Sequence, residues 1–430
     1  MHKSDNLMLT LSPYRSRPFV TGGTKRIHFL NRGYNRDGWD VLQISGASTR
    51  SGVRGLLRGP YPDVAPGYRE QISYNFPIVA GNFVMRRVGG PQISAATLPR
   101  FLRPIPAIRR ALAERRVVVL EHPTLFDMVE PWLTERHLVV LDSHNIEYRL
   151  FADRLAEDGL VGRTARALRD LERRCFRRAD LAFTCSPDDR RIAINEFGVD
   201  PSRIHIAPNG VDVESMPMVN PAERAAARRR LGLSGTVAAF VGSRWGPNHD
   251  AVVEIIKLAS ADPRITWLVI GQVGDDFTDA VPANVVITGE IDDLRAHLAA
   301  ADVAVNPVLA GSGSNIKMFE YLALGLPVVA THFGARGVED DSGLAITCCA
   351  LNAIPDQIMR LAADPQLAAR RLAARALAEA KYDWTHIAGN ISAIIRAAMR
   401  EQATQKPISL APPRVRARAS APGAVTEPLA

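Results

Sequence analysis

The stretch "GSGSNIKMFEYLALGLPVVA" (311–330) sets a cation and a carboxylate three residues apart behind a glycine-serine loop. Glycine lets a backbone come close to a ligand, and the loop runs through Ser312, Gly313, Ser314 and Asn315 to Ile316, where an apolar helical patch begins. That patch meets a helix stop at Gly325-Leu326-Pro327. The N–H groups at a helix start lack intrahelical partners and favour an anion. Lys317, in the first turn, opposes the helix dipole unless something negative sits beside it. Glu320, one turn later, is wrong for the same anion; its two oxygens suit neighbouring hydroxyls such as a ribose diol. An anion with a cation, beside a diol with a carboxylate, describes a nucleoside diphosphate. On spacing alone a plainer reading stays open, in which Lys317 and Glu320 pair with each other on one helix face.

Positioning such a site takes a frame. Short β-like runs alternate with helical patterns nearly throughout. The first half offers strands at 7–12, 40–45, 117–121, 138–142, 180–185 and 203–207, with helices at 25–36, 146–178 and 187–197. The second offers strands at 237–242, 266–271, 285–288, 303–307, 327–331 and 345–348, with helices near 250–260, 292–300, 316–324, 351–363 and 366–380. This alternation predicts an α/β chain of two doubly wound parallel sheets facing across a cleft. The expected boundaries are 1–206 and 207–383, joined at "APNGVDVESM", then a terminal helix over 384–401 returning to the first domain. The stretch 402–430, rich in Pro, Ala, Arg and Ser without periodicity, is expected to be disordered.

Ligands of open parallel sheets sit beyond the carboxyl ends of the strands. That rule selects the loop Gly22-Gly23-Thr24, His122 in "VLEHPTLF", His144 in "VVLDSHNIEYR", Arg244 within "GSRWGPN", and Gly289-Glu290 in "VVITGEI". A lone histidine is also a common structural residue, so both readings stand for His122 and His144.

The segment "NPVLAGSGSNIKMFEYLALGLPVVAT" resembles the donor-binding segment of glycosyltransferase family 4, retaining enzymes of the GT-B fold, with two facing Rossmann-like domains. "IHIAPNGVD", "FVGSRWGPNHDAV", "LVIGQVG", "ITGEIDDLRAHLAAADVAVNP" and "YDWTHIA" fit the same family pattern in order. The resemblance implies an acceptor-side first domain and a nucleotide-sugar-binding second domain. It implies a ribose ligand in Glu320, the second glutamate of an E-x7-E motif whose first position is Ser312 here. It puts Lys317 near the diphosphate, and Gly313, Ser314, Asn315 and Ile316 around the donor. Arg244, shifted by one from the family's G-R-x-x-x-x-K, stands in as a phosphate cation, with no lysine at the second position. His144 matches the family histidine beside the reacting sugar. His122 and Thr24 fall on the acceptor side, and Gly23 approaches the donor or acceptor. Backbone around Gly289, Glu290 and Ile291 borders the base, which leaves the nucleobase unread. Transfer would then proceed with retention, the departing phosphate taking the acceptor proton. The nucleotide sugar is a substrate, and no cofactor is implied. No D-x-D occurs in the sequence, so no bridging metal is expected. The loss of the first motif glutamate keeps two rivals in view: a catalytically inactive module that binds a nucleotide sugar or a partner, and a sugar-nucleotide 2-epimerase. No G-x-G-x-x-G follows the first strand, against a dinucleotide-dependent dehydrogenase.

Composition fits a globular chain, with 430 residues, 47% hydrophobic and 23% charged. No apolar run nears the ~18–20 residues of a membrane span. The short run at 7–12 reads as a strand, not an export signal, so a cytoplasmic location is expected. Four cysteines without metal spacing read as buried free thiols. The net charge of +8 lies in the first half, where residues 1–205 hold 32 Lys and Arg against 22 Asp and Glu. Clusters at 108–116 and 173–178, with Arg50, Arg54 and Arg58, suit anionic headgroups at the inner membrane face or a polyanionic glycan; a solvated arginine face is the alternative. A glycan or lipid-linked acceptor follows as the expected partner. Nothing resembles a nucleic-acid module.

Overall fold

The computed structural model describes residues 6–17, 22–46, 64–73, 87, 106–277, 281–311 and 314–405. Ser312, Gly313, Arg50, Arg54, Arg58 and the expected tail from 406 onward lie outside the described residues.

Runs of β-branched and aliphatic residues such as "VVVL" and "LVVLDS" are buried along their whole length, as strands covered on both faces by helices must be. The first sheet comprises β1 (Leu7–Ser12), β2 (Asp40–Gly46), β3 (Tyr68–Ser73), β4 (Val117–Leu120), β5 (Leu138–Ser143), β6 (Leu181–Thr184) and β7 (Ile204–Ile206). Their spatial order is β3-β2-β1-β4-β5-β6-β7, all parallel. Around it lie α1 (Gly22–Arg36), α2 (Pro106–Glu114), α3 (Gly159–Arg178) and α4 (Pro187–Phe197). The second sheet holds β8 (Thr236–Val241), β9 (Ile265–Ile270), β10 (Val285–Ile287), β11 (Val303–Asn306), β12 (Val328–Ala330) and β13 (Ile346–Cys348). Its order is β10-β9-β8-β11-β12-β13, again parallel. Its helices are α5 (Pro221–Leu231), α6 (Gly246–Ala261), α7 (Leu294–Leu298), α8 (Ile316–Ala323), α9 (Ile354–Ala362) and α10 (Leu367–Leu377).

In each sheet the winding reverses once, between β1 and β4 and between β8 and β11. Such a switch point opens a crevice at the strand ends. The last helix, α11 (Trp384–Gln405), leaves the second lobe and packs on the first: Trp384, Ile387, Ala388, Ile391 and Ile395 join Met8, Leu30, Tyr34 and Trp39 in one core. Trp39 Nε1 donates to Ser392 Oγ at 2.7 Å. α11 runs through Gln405, so residues 402–405 are helical where disorder was expected.

Other expectations need correction. Gly22, Gly23 and Thr24 are not a loop; they form the first turn of α1. The helix expected over 146–178 is two pieces, a 3-10 segment at Glu147–Arg154 and α3, separated by residues 155–158, and Gly159 opens α3 at φ +86°. Cys348 is exposed and Cys349 half-buried on the edge of the second sheet, whereas Cys175 and Cys185 are buried as expected; all four are free thiols. Among the described residues no helix is long and apolar enough to cross a membrane.

Candidate functional site

The two switch points meet. A Cβ added to Gly22, at the start of α1, would lie 2.3 Å from Ile316 Cδ1 at the start of α8. An alanine there would need the Ile316 side chain to turn aside. Three residues on, Lys25 Nζ donates to Glu320 Oε1 at 2.5 Å across the lobes. Asn209, in the connection between lobes, donates to Ser314 Oγ at 2.8 Å. The loop ahead of α8 is further tied by Asn315 Nδ2, which donates to the Gly334 carbonyl at 3.1 Å.

Lys317 and Glu320 do not pair with each other. Lys317 points to the other side of α8, where Nζ donates to Asn248 Oδ1 at 2.7 Å and lies 4.0 Å from the Phe240 ring centroid. Asn248 is itself held by the Ser243 carbonyl at 3.0 Å. Burial in this apolar slot pulls the Lys317 ammonium down to about 7, with the Glu320 charge opposing weakly. A lysine so placed gains its full charge when an anion arrives. The Glu320 carboxylate is mostly buried, its side chain 11% exposed, yet it faces the opposite lobe and not a packed interior.

The first lobe contributes a dense polar cluster. Arg26 on α1 forks both oxygens of Asp142, Nε to Oδ2 at 2.8 Å and Nη2 to Oδ1 at 2.6 Å, and reaches the Pro208 carbonyl at 3.0 Å. Burial alone would raise Asp142; the Arg26 charge outweighs it and holds the carboxyl well below the usual carboxylate range. His144 Nε2 sits 3.2 Å from Glu121 Oε2 and 3.5 Å from Asp142 Oδ2. Burial would lower His144, but its bonds to Asp142 and Glu121 raise it. Burial pushes Glu121 up to about 7, and its Oε1 has no hydrogen-bond partner. His122 bonds Glu147 and Tyr14, and burial with the neighbouring His144 charge lowers it. Thr24 is buried in the first turn of α1. Gly23 is pressed against this cluster, since a Cβ there would lie 2.3 Å from the Tyr14 hydroxyl and 3.3 Å from His144 Nδ1.

Among the described residues, Glu121, Asp142 and His144 bring potential metal-ligand atoms within 4.8 Å of one another. Arg26 already engages both oxygens of Asp142, so the charges of the trio are matched inside the protein.

Of the residues singled out in the sequence, the structure brings together Gly23, His122 and His144 on one lobe and Ile316 and Glu320 on the other, with Lys317 behind. The Arg244 guanidinium pairs with other groups. It is exposed and lies 3.3 Å from both Asp275 and Asp276. Gly289 adopts φ +66° and its carbonyl accepts from Gly271 at 3.0 Å. Glu290 accepts from Gln272 at 2.8 Å, while Ile291 packs on the second-lobe core. Sequence reasoning missed Tyr14, Lys25, Arg26, Glu121, Asp142, Glu147, Asn209 and Asn248. Glu121 and Asp142 sit at or just past the ends of their strands, where the strand-end rule could have found them. Lys25 follows the Gly-Gly pair directly.

Residues 21–215 match the family model described as Glycosyltransferase Family 4, and residues 235–364 the model described as Glycosyl transferases group 1. A GDP-mannose-dependent monoacylated alpha-(1-6)-phosphatidylinositol monomannoside mannosyltransferase of Corynebacterium glutamicum is 28% identical over 224 residues, 47% of this chain and 58% of that protein. The D-inositol 3-phosphate glycosyltransferase of Mycobacterium leprae is 29% identical over 244 residues, 51% of this chain and 55% of that protein. The chain thus spans somewhat more than half the length of the curated relatives it matches. Among solved structures, Anabaena Alr3699/HepE in complex with UDP superposes with a TM-score of 0.64 at 18% identity, covering 91% of this chain and 99% of that one. Sucrose-phosphate synthase from Thermosynechococcus elongatus gives 0.66 at 15% identity, covering 92% and 100%.

Proposed function

From the two glycosyltransferase-type domains and their GT-B architecture, we propose that the protein moves a sugar from a nucleotide-diphosphate sugar to a glycan or lipid-linked acceptor. In this reading transfer retains configuration, needs no metal ion and serves cell-surface polysaccharide assembly at the cytoplasmic face of a membrane. The observation that carries the proposal is the meeting of α1 and α8: Glu320 faces the first lobe within reach of Lys25, while His144 and Tyr14 stand beside the same junction. Similar proteins support the substrate class, one being GDP-mannose-dependent and one solved neighbour holding UDP.

The donor diphosphate would lie at the start of α8, where helix N–H groups and Lys317 meet its charge, and the ribose diol would take Glu320 from Lys25. As the anomeric C–O bond breaks, its electron pair passes to the departing phosphate oxygen, and a fixed positive environment in a dry cleft stabilises that charge. The acceptor hydroxyl forms the new C–O bond on the same face, and its proton goes to the departing phosphate. The exposed Arg163, Arg166, Arg169 and Arg173 of α3 supply a basic face suited to anionic headgroups.

The test is a thermal-shift screen against UDP-, GDP-, ADP- and TDP-sugars, followed by transfer assays with the donor that binds. Saturation at about 100 times Kd adds roughly 2.7 kcal/mol, and Glu320→Ala and Lys317→Ala abolish the shift. If no sugar nucleotide stabilises the chain, or both variants respond like the parent, the proposed donor site is wrong. Co-sedimentation with vesicles containing anionic lipid, lost on charge reversal along α3, checks the membrane contact.

A further inference from the structure

An unbroken row of polar side chains crosses the first lobe, and sugar transfer as described above leaves most of it unused. Glu147 Oε1 lies 3.2 Å from His122 Nδ1, and His122 Nε2 lies 2.9 Å from the Tyr14 hydroxyl. That hydroxyl lies 3.5 Å from His144 Nδ1, and His144 Nε2 lies 3.2 Å from Glu121 Oε2. The row is assembled from three strand ends: Tyr14 follows β1, Glu121 and His122 follow β4, and His144 and Glu147 follow β5. Glu172 of α3 fixes the far end, accepting the backbone N–H groups of Glu147 and Tyr148 at 2.9 and 3.1 Å.

We propose that Tyr14 is a positioning residue for His144: its hydroxyl, anchored through His122 to Glu147, orients the His144 ring and fixes which of its nitrogens carry protons. The role rests on the reading that His144 stands beside the reacting sugar.

Counting protons shows what the row enforces. A carboxylate at Glu147 accepts from Nδ1–H of His122, which leaves Nε2 of that ring as a bare acceptor. The single hydroxyl proton of Tyr14 goes to it, along the shorter of the two Tyr14 contacts. The Tyr14 oxygen then accepts from Nδ1–H of His144, whose Nε2–H donates to Glu121. His122 is neutral in this arrangement and His144 is an imidazolium. The titration directions agree. His122 is lowered by burial and by the His144 charge; His144 is raised because its bonds to Asp142 and Glu121 outweigh burial; Glu147 is lowered because His122 outweighs burial.

The groups facing His144 complete the account. Tyr14 comes from the β1 end, Arg26 from α1, Glu121 and His122 from the β4 end, Asp142 from β5, and Glu147 from the turn after it; Cys185, at the β6 end, donates to the Ser143 carbonyl at 3.7 Å. The Cys185 thiol is pushed up to about 12 by burial, so it carries no charge near neutrality. Arg26 already occupies both oxygens of Asp142. With both of its N–H groups engaged, His144 is then a fixed positive charge beside Gly23, suited to negative charge developing at the junction, and not a proton acceptor.

The experiment is 15N-imidazole NMR of the full chain, with His144 assigned by the spectrum of His144→Gln. In the parent chain His144 titrates above the ordinary value of ~6.5, while His122 titrates below it. Tyr14→Phe is expected to lower the His144 midpoint by about half a unit or more, and to reduce kcat about tenfold with the donor KM unchanged. Glu147→Gln moves the His144 midpoint in the same direction, and decides the matter if Tyr14→Phe does not fold. A His144 midpoint unmoved by these substitutions overturns the role. A shifted midpoint in a chain that transfers no sugar retires the proposed function and leaves the Tyr14 role standing; normal transfer with an unmoved midpoint does the reverse.

Discussion

Lys317 shows how one buried residue links stability to ligand. Its folded value near 7 lies below the ordinary lysine value of 10.5 because burial penalises the ammonium. Between those two values the unfolded chain holds a proton that the folded chain lacks, so stability rises with pH across that window. The penalty is fully present below pH 7 and fades as pH climbs toward 10. Lys317→Met, which keeps the length of the side chain without its charge, should flatten that rise and stabilise the protein at pH 7. Urea unfolding of both chains at pH 7 and pH 9 measures it; equal pH dependence would show that the lysine is charged in the fold. An anion docked at α8 reverses the shift, so nucleoside diphosphate binding at pH 8 should take up about one proton. Calorimetry in buffers of different ionisation enthalpy reads that number; heats that do not depend on the buffer would mean that the lysine is already charged before the anion binds.

Between elements, the crossing of α1 and α11 is set by a glycine. A Cβ on Gly33 would lie 2.3 Å from Ala388 Cβ, so the helices approach more closely there than two alanines permit. Helix propensity favours alanine over glycine by roughly 1 kcal/mol, and close packing must override it. Gly33→Ala is expected to destabilise by about 1–3 kcal/mol, and Ala388→Gly in the same chain to recover part of the loss. A double-mutant cycle by chemical denaturation checks this; additive effects would mean that the two residues do not meet.

Elements of this kind were legible where chemistry is local. β1 and α4 have the bounds their sequence predicts. For α4 the reasons are visible, with the Ser186 hydroxyl accepting from the Asp189 N–H and Gly198 ending the helix at φ +68°. β3, "YREQIS", was missed because charged residues mask an edge strand, although Glu70 is buried and bonded to Ser16 and Ser45. The site was half legible for the same reason. Lys317 and Glu320 announce themselves by spacing along one helix, but their partners Asn248 and Lys25 lie 69 and 295 residues away. Only the fold brings them together.

Across the whole molecule, the two lobes are joined by more than their connecting segment. Arg26 binds Asp142 in the first sheet and the Pro208 carbonyl in the connection, both while buried. α11 then carries the chain end of the second lobe back over the first. Trp384, Ile387, Ile391 and Ile395 are each 3% exposed or less. Burying side chains of this size contributes about 1.5–3 kcal/mol apiece, so the helix supplies on the order of 10 kcal/mol of apolar burial, comparable to the ~5–15 kcal/mol net stability of a typical domain. The first lobe is therefore incomplete without it. A chain ending at Asp383 should lose that lobe: Leu30, Tyr34 and Trp39 become exposed, and limited proteolysis should cut within the first sheet at protease levels that leave the full chain intact. The second lobe keeps the cores around β8 and β11, which receive nothing from α11, so its fragments should persist longer. Equal protection of both lobes in the truncated chain would mean that α11 merely rests on a first lobe already complete.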